Sequence, residues 1–217
     1  LVRNTMHERC VFYAIMAISF FWTIGAVLFI QFPPLAKNVL MASKEVASLF
    51  LVIFSVGVAI GSMSINALLK GNVSARYAPA SVIGMAVFVV GFHFVCAEWN
   101  VDTGGALLNV GDFVREPLAI PLLLTLLGIA ISGGMFVVPL YAFLTTRVDP
   151  SQAARTIAAN NIVNSGAMVI GSLLAVSLSA LGMAITDQLL LSAAMCLFSA
   201  WLGHRLYKAE QETPRPD

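Results

Sequence analysis

The sequence predicts an all-α membrane protein with six transmembrane helices. Three observations carry that expectation. Of its 217 residues, 59% are hydrophobic and 11% charged, with a mean hydropathy of +0.89; a soluble domain carries about 25% charged residues. The charges are confined to short clusters. Between those clusters lie six uncharged stretches: Cys10 to Ala36, Val46 to Leu69, Tyr77 to Ala97, Pro117 to Thr146, Thr156 to Thr186 and Gln188 to Gly203. A bilayer core about 30 Å thick takes about 20 apolar residues per helix. Five stretches meet that length, and the sixth does so if His204 and Arg205 sit at its interfacial end.

The first span is expected from about Val11 through Ile30 to Leu40, with a kink or break at Pro33 and Pro34, which remove two amide donors. The second runs from about Val46 to Leu69 and the third from about Pro79 to Cys96. A polar, glycine-containing connection follows from Glu98 to Glu116. The fourth span covers about Leu118 to Thr145, the fifth Ala154 to Leu181 and the sixth Asp187 to Tyr207. Residues 1–10 read as a polar stub, and 208–217 as a tail or linker. The chain opens on Leu1, and the stub leads straight into a span, so a fragment of a longer parent is expected.

Short loops on the cytoplasmic side are enriched in Lys and Arg. The stub, the Lys70–Arg76 loop, the Arg147–Arg155 loop and the tail hold Arg3, Arg9, Lys70, Arg76, Arg147, Arg155, Arg205, Lys208 and Arg215; the other side holds Lys37, Lys44 and Arg115. Both termini are therefore expected in the cytoplasm. The Glu98–Glu116 loop, with four acids and one Arg, is expected outside.

A net charge of +1 gives no basic field for nucleic acid. Cys10, Cys96 and Cys196 form no CxxC pair and have no His at ligand spacing, so ordinary thiols are expected and no metal site or cofactor. There is no HExxH, GxSxG or GxxxxGK[ST] and no acid pair, so no catalytic residues are expected. The span cores hold no Asp, Glu, Lys or Arg, which argues against a self-contained pump or proton channel. His93, near the outward end of the third span, is expected to be interfacial or bonded to a helix.

The fifth span is the most informative. At about 100° per residue, Thr156, Asn160 and Asn164 fall within about 80° of each other, with Asn161 about 60° beyond. Such an arc cannot face lipid. It serves either as hydrogen-bonding glue between helices or as the lining of a polar cavity. Gly57 and Gly61, with Ser62 and Ser64, make a small-residue packing face on the second span. On the fourth, Ser132, Gly133, Gly134 and Pro139 allow bending, and Ser132 and Tyr141 join Asn160, Asn161, Asn164 and Gln31 as candidate cavity or substrate-binding residues. On the first, Ser19, Trp22, Thr23 and Gln31 are the polar and amphipathic positions, and Trp22, mid-span, either lines a cavity or packs in the core.

Six spans with both ends cytoplasmic, and the loop LLKGNVSARYAP between the second and third, resemble one half of a major facilitator superfamily transporter. Gly71 and Arg76 match its signature loop, whose acid and dibasic pair are missing here. The stretches FFWTIGAVLFIQFPPLAKNVL, FSVGVAIGS, ISGGMFVVPLYAFL and ARTIAANNIVN resemble the C-terminal half of the lysophospholipid transporters, including the form fused to an acyltransferase and an acyl-acyl carrier protein synthetase. The resemblance implies one half of a major facilitator fold, helices seven to twelve, in the bacterial inner membrane. It implies a flippase that returns lysophospholipid to the inner leaflet for re-acylation, partnered by membrane lipid, the N-terminal six-helix half and a fused or neighbouring acyltransferase. The substrate head would meet Asn160, Asn164, Gln31 and Tyr141, with Lys37 and Arg155 at span ends as the only nearby cations. Two other readings remain open: half of a facilitator for a drug, sugar or other solute, and a non-transporting anchor for a cytosolic enzyme.

Overall fold

A computed structural model describes residues 9–146, 148 and 150–212. The N-terminal stub to Glu8, Arg147 and the tail from Thr213, with the Arg3, Arg147 and Arg215 contributions to the charge count, lie outside the described residues. Among the described residues, seven helices follow in order: α1 (Arg9–Asn38), α2 (Lys44–Leu69), α3 (Ala78–Ala97), the short α4 (Val110–Phe113), α5 (Ala119–Thr146), α6 (Pro150–Ala180) and α7 (Ile185–Glu212). All but α4 are long and apolar enough to cross a membrane, so six candidate spans lie where the hydropathy places them.

Two boundaries differ from expectation. The first helix runs unbroken through Pro33 and Pro34 and closes one turn later, where the Leu35 carbonyl accepts from the amides of both Val39 and Leu40 at 3.0 Å. The last helix continues five residues past Tyr207, so Lys208–Glu212 is helix rather than linker. Its extension is anchored: the Glu210 carboxylate accepts from Ser74 Oγ at 3.1 Å and from the Ala75 amide at 2.9 Å in the α2–α3 loop.

The Glu98–Glu116 connection carries its own apolar plug. Trp99 is buried, stacks on Phe113 with ring centroids 5.3 Å apart, and donates from Nε1 to the Leu40 carbonyl at 3.1 Å. Leu108 and Ala42 form an isolated bridge beside it. Asn109 caps α4 by accepting from the Asp112 amide at 3.0 Å. The α1 start, the α2–α3 loop and the α7 end meet at one end of the bundle, here the terminal end; this plug closes the opposite end.

Helix packing repeats itself. The main pairs are α2 with α5, α3 with α7, α1 with α6, α3 with α5 and α1 with α7, followed by α1 with α5, α1 with α2 and α5 with α6. Exchange the first three spans for the last three (α1 for α5, α2 for α6, α3 for α7) and every one of these pairs maps onto another or onto itself. Burial follows the same rule: 67% and 56% of the apolar window in α1 and α5, 44% in both α3 and α7, and 28% and 17% in α2 and α6. Successive spans alternate in direction, so the exchange inverts them, giving two three-helix repeats of opposite orientation.

The repeat is also written in sequence. Ile60-Gly61-Ser62 on α2 and Ile170-Gly171-Ser172 on α6 occupy equivalent crossings. A Cβ on Gly61 would fall on the Ile131 carbonyl of α5. One on Gly171 would lie 2.7 Å from Thr23 Cγ2 and 3.0 Å from the Thr23 carbonyl of α1. Backbones at these crossings touch, which is how small residues drive association where lipid removes the hydrophobic force between helices.

Candidate functional site

No Asp, Glu, Lys or Arg is buried among the described residues; the buried polar groups are hydroxyls and amides. Where α1, α5 and α6 meet, buried Ser19 and Asn164 form one network with half-buried Trp22 and Tyr141. Ser19 Oγ donates to Asn164 Oδ1 at 2.6 Å, Asn164 Nδ2 donates to the Tyr141 hydroxyl at 3.1 Å, and Trp22 Nε1 donates to the same hydroxyl at 2.9 Å. Indole nitrogen can only donate. Tyr141 oxygen therefore accepts twice, which leaves its own proton free to donate. Thr23 Oγ1 donates to the Ser19 carbonyl at 2.9 Å, which fixes the α1 side of the network.

The α6 asparagines divide by role. Asn164 is tied to two helices, so it is glue. Asn160, one turn towards the terminal end on the same face, is 0% exposed, yet neither of its amide atoms has a protein partner. A buried polar group left this way costs about 1–3 kcal/mol. Thr156, a further turn on, is buried on the same face. Asn161 is exposed, with exposed Ser165 one turn further. The angle that placed Asn161 beyond the arc also turns it away from α1. A mid-span face of amide and hydroxyl is unfavourable against lipid.

The remaining expected residues lie elsewhere. Trp22 is half-buried and committed to Tyr141. Ser132 is buried, with its Oγ facing Gly84 of α3: a Cβ there would sit 3.4 Å away. Ser132 is thus a packing residue rather than a member of the asparagine network. Gln31 is buried near the opposite end, where Nε2 donates to Gln188 Oε1 at 2.7 Å. Gln188 Nε2 in turn donates to Ser179 Oγ at 2.9 Å and to the Met183 carbonyl at 3.2 Å. That carbonyl can only accept, so it sets the orientation of both amides and leaves Gln31 Oε1 without a partner.

Beside this pair, a cavity of about 600 Å³ separates α1 from the end of α6, lined chiefly by Ile30, Gln31, Pro34, Val176, Ser179 and Ile185. Lys37 lies by a second hollow on the α2 side with Lys44 and Glu45, and Arg155 is exposed near the α6 start. His93 Nδ1 donates to the Thr186 carbonyl of α7 at 2.8 Å, the helix-bonded role expected of it. In the α2–α3 loop, Lys70 and Gly71 take left-handed backbone at φ 52° and 76°, and exposed Arg76 lies 5.5 Å from the Tyr77 ring. None of the three cysteines forms a disulfide among the described residues, and no group of three or more metal-ligating side chains occurs there.

Sequence reasoning did not find Gln188, at the very edge of a span, or Glu210, in the supposed tail. The signal for Gln188 was its place as the first residue of an uncharged stretch; Glu210 had none. No protein-family model, curated protein or solved structure matches this chain.

Proposed function

We propose that this chain is the C-terminal six-helix half of a major facilitator transporter and serves the return of lysophospholipids to the inner leaflet of a bacterial inner membrane, both termini being cytoplasmic. The observation that carries the reading is the α6 helix. It is the least buried span, its equivalent α2 is the next, and its uncovered face carries Asn161 and Ser165 at mid-membrane depth. A second six-helix unit laid against α2 and α6 encloses that polar face and forms a path between the two halves. The inverted three-helix repeat supports the same architecture.

The chemistry suits a single-chain lipid. The apolar cavity between α1 and α6 takes an acyl chain; the exposed Asn161 amide and Ser165 hydroxyl offer neutral bonds to a polar head. A phosphate favours a charge-assisted partner. None is buried among the described residues of this half, so the N-terminal half supplies the cation. Re-acylation at the inner leaflet then falls to a fused or neighbouring acyltransferase.

The test uses the full-length protein that carries this unit, reconstituted in liposomes with fluorescent lysophosphatidylethanolamine, whose leaflet is read by back-extraction. Asn161→Leu is expected to lower the rate about tenfold, the value of roughly one lost bond in the path, at unchanged melting temperature. A wild-type rate equal to that of protein-free liposomes would remove the substrate assignment. An unchanged rate in the variant would remove the α6 face from the path.

A further inference from the structure

At the terminal end of the bundle, a polar cavity of about 480 Å³ lies between α1 and α7, lined chiefly by Arg9, Phe12, Tyr13, Arg205, Lys208 and Glu212. Three cations and one acid leave a local excess of positive charge. Neither Arg9, Arg205 nor Lys208 forms an ion pair with a carboxylate among the described residues. The one other acid nearby on α7, Glu210, is spent on the α2–α3 loop. Three cations against one acid around one cavity leave net repulsion, and an anion between them relieves it.

The surroundings say which kind of anion. One turn into the membrane from Arg205 lies Trp201, 45% exposed, and Arg205 places its guanidinium 5.2 Å from the centre of that ring. Phe198 lies beside Trp201 at 5.4 Å and is 48% exposed. Tryptophan at a helix end marks the headgroup level of a bilayer, with cations just beyond it. The cavity therefore opens at phosphate depth, above an aromatic surface suited to the upper part of an acyl chain. Basic pockets between spanning helices are sites for anionic lipid heads.

We propose that this cavity binds the phosphate of an anionic phospholipid from the adjoining leaflet. Arg205 and Lys208, one turn apart on α7, hold the phosphate oxygens with Arg9 of α1; Tyr13 borders the same space. The bound lipid clamps the α1 start to the α7 end. This stands on the six spans and the pocket alone, and is independent of which solute the protein carries.

The experiment measures the melting temperature of the purified full chain in neutral detergent, with phosphatidylglycerol, phosphatidylcholine or inorganic phosphate added. Phosphatidylglycerol is expected to raise the temperature in a saturable way and phosphatidylcholine not to. The paired change Arg205→Gln with Lys208→Gln is expected to weaken phosphatidylglycerol binding by about tenfold or more. Lys70→Gln with Arg76→Gln removes the same charge from the same end, outside the cavity, and is expected to leave the binding unchanged. Equal stabilisation by both lipids, or equal losses in both paired variants, would overturn the site in favour of general surface attraction. Stabilisation by inorganic phosphate alone would overturn the lipid as its source. Arg9→Gln tests the α1 side separately: a normal phosphatidylglycerol response there would overturn the clamp between the helices.

Discussion

The seam between α2 and α5 and the seam between α1 and α6 are built on the same crossing but filled with opposite chemistry. Both turn on the glycine of an Ile-Gly-Ser triplet touching a neighbouring backbone. Moving along each helix in register from that glycine, Val46 and Phe50 of α2 correspond to Thr156 and Asn160 of α6, and Leu51 corresponds to Asn161. Burial matches position by position: the first two are buried in each helix and the third is exposed. On α2 the series is apolar, and Phe50 closes an aromatic cluster with Phe32 at 5.8 Å and Phe113 at 6.0 Å. On α6 the same places hold a hydroxyl and two amides. The crossing thus has no requirement for polar groups, since its twin does without them. What α6 adds is surplus to packing, and that surplus is where function is to be sought.

The dry seam is the easier to break. At Gly61 a new Cβ meets the Ile131 carbonyl, a backbone atom that cannot swing aside, while neighbouring Gly57 and Gly134 are equally crowded, with contacts of 2.5 Å to Ala130 Cβ and to the Val58 carbonyl. At Gly171 the first atom met is a side-chain methyl of Thr23. Gly61→Ala is therefore expected to cost about 3 kcal/mol or more, and Gly171→Ala about 1–2 kcal/mol. Reversible unfolding of both variants in mixed micelles checks the ranking. Equal losses would mean that the two crossings are not the unequal pair described.

Much of this was legible in the sequence, and the reason is physical. Hydropathy must match bilayer thickness, so uncharged stretches such as Val46 to Leu69 locate spans almost to the residue. Helical angle alone groups Thr156, Asn160 and Asn164, all buried, but it also places Asn161 at the edge of the same inward arc, whereas Asn161 is exposed. Angle does not name partners, however: the choice between glue and cavity was open until Ser19 and Tyr141 were found against Asn164. Ser132 and Gln31 were grouped with the asparagines because polar residues in spans are rare, yet they bond or pack on other neighbours. The three-helix repeat was hidden because its halves share little beyond small residues at crossings, and a helix tolerates Phe50 where its twin carries Asn160.

A middle-sized effect is expected at the network itself. Asn164→Leu removes the bonds to Ser19 and Tyr141. Bonds of this kind average about 0.6 kcal/mol inside membranes and reach about 1.7, so a loss of about 1–2 kcal/mol is expected, with lower yield of folded protein. Transport per folded molecule is expected to fall little, because the α6 path face is untouched. A large fall in specific activity at unchanged stability would instead make Asn164 a path residue and blur the division between it and Asn161.

The smallest expected effect carries the opposite sign, and for that reason sharpens the comparison most. Asn160 sits where its α2 twin holds Phe50, fully buried and without a protein partner for either amide atom. Leucine is close to asparagine in length and needs no hydrogen bond. Asn160→Leu therefore removes a desolvation cost of about 1–3 kcal/mol and adds apolar packing, partly offset by the branched methyls it must fit into a closed space. A net gain of about 1 kcal/mol is expected, read as a higher unfolding midpoint beside the lower one of Asn164→Leu. Lysophospholipid flipping is expected to be unchanged in the same variant, because Asn160 shares the buried face of Asn164 and not the exposed α6 face that borders the path. Loss of stability on a par with Asn164→Leu would show that Asn160 is bonded in the folded protein, and the α6 seam would then be a polar version of the α2 seam and nothing more.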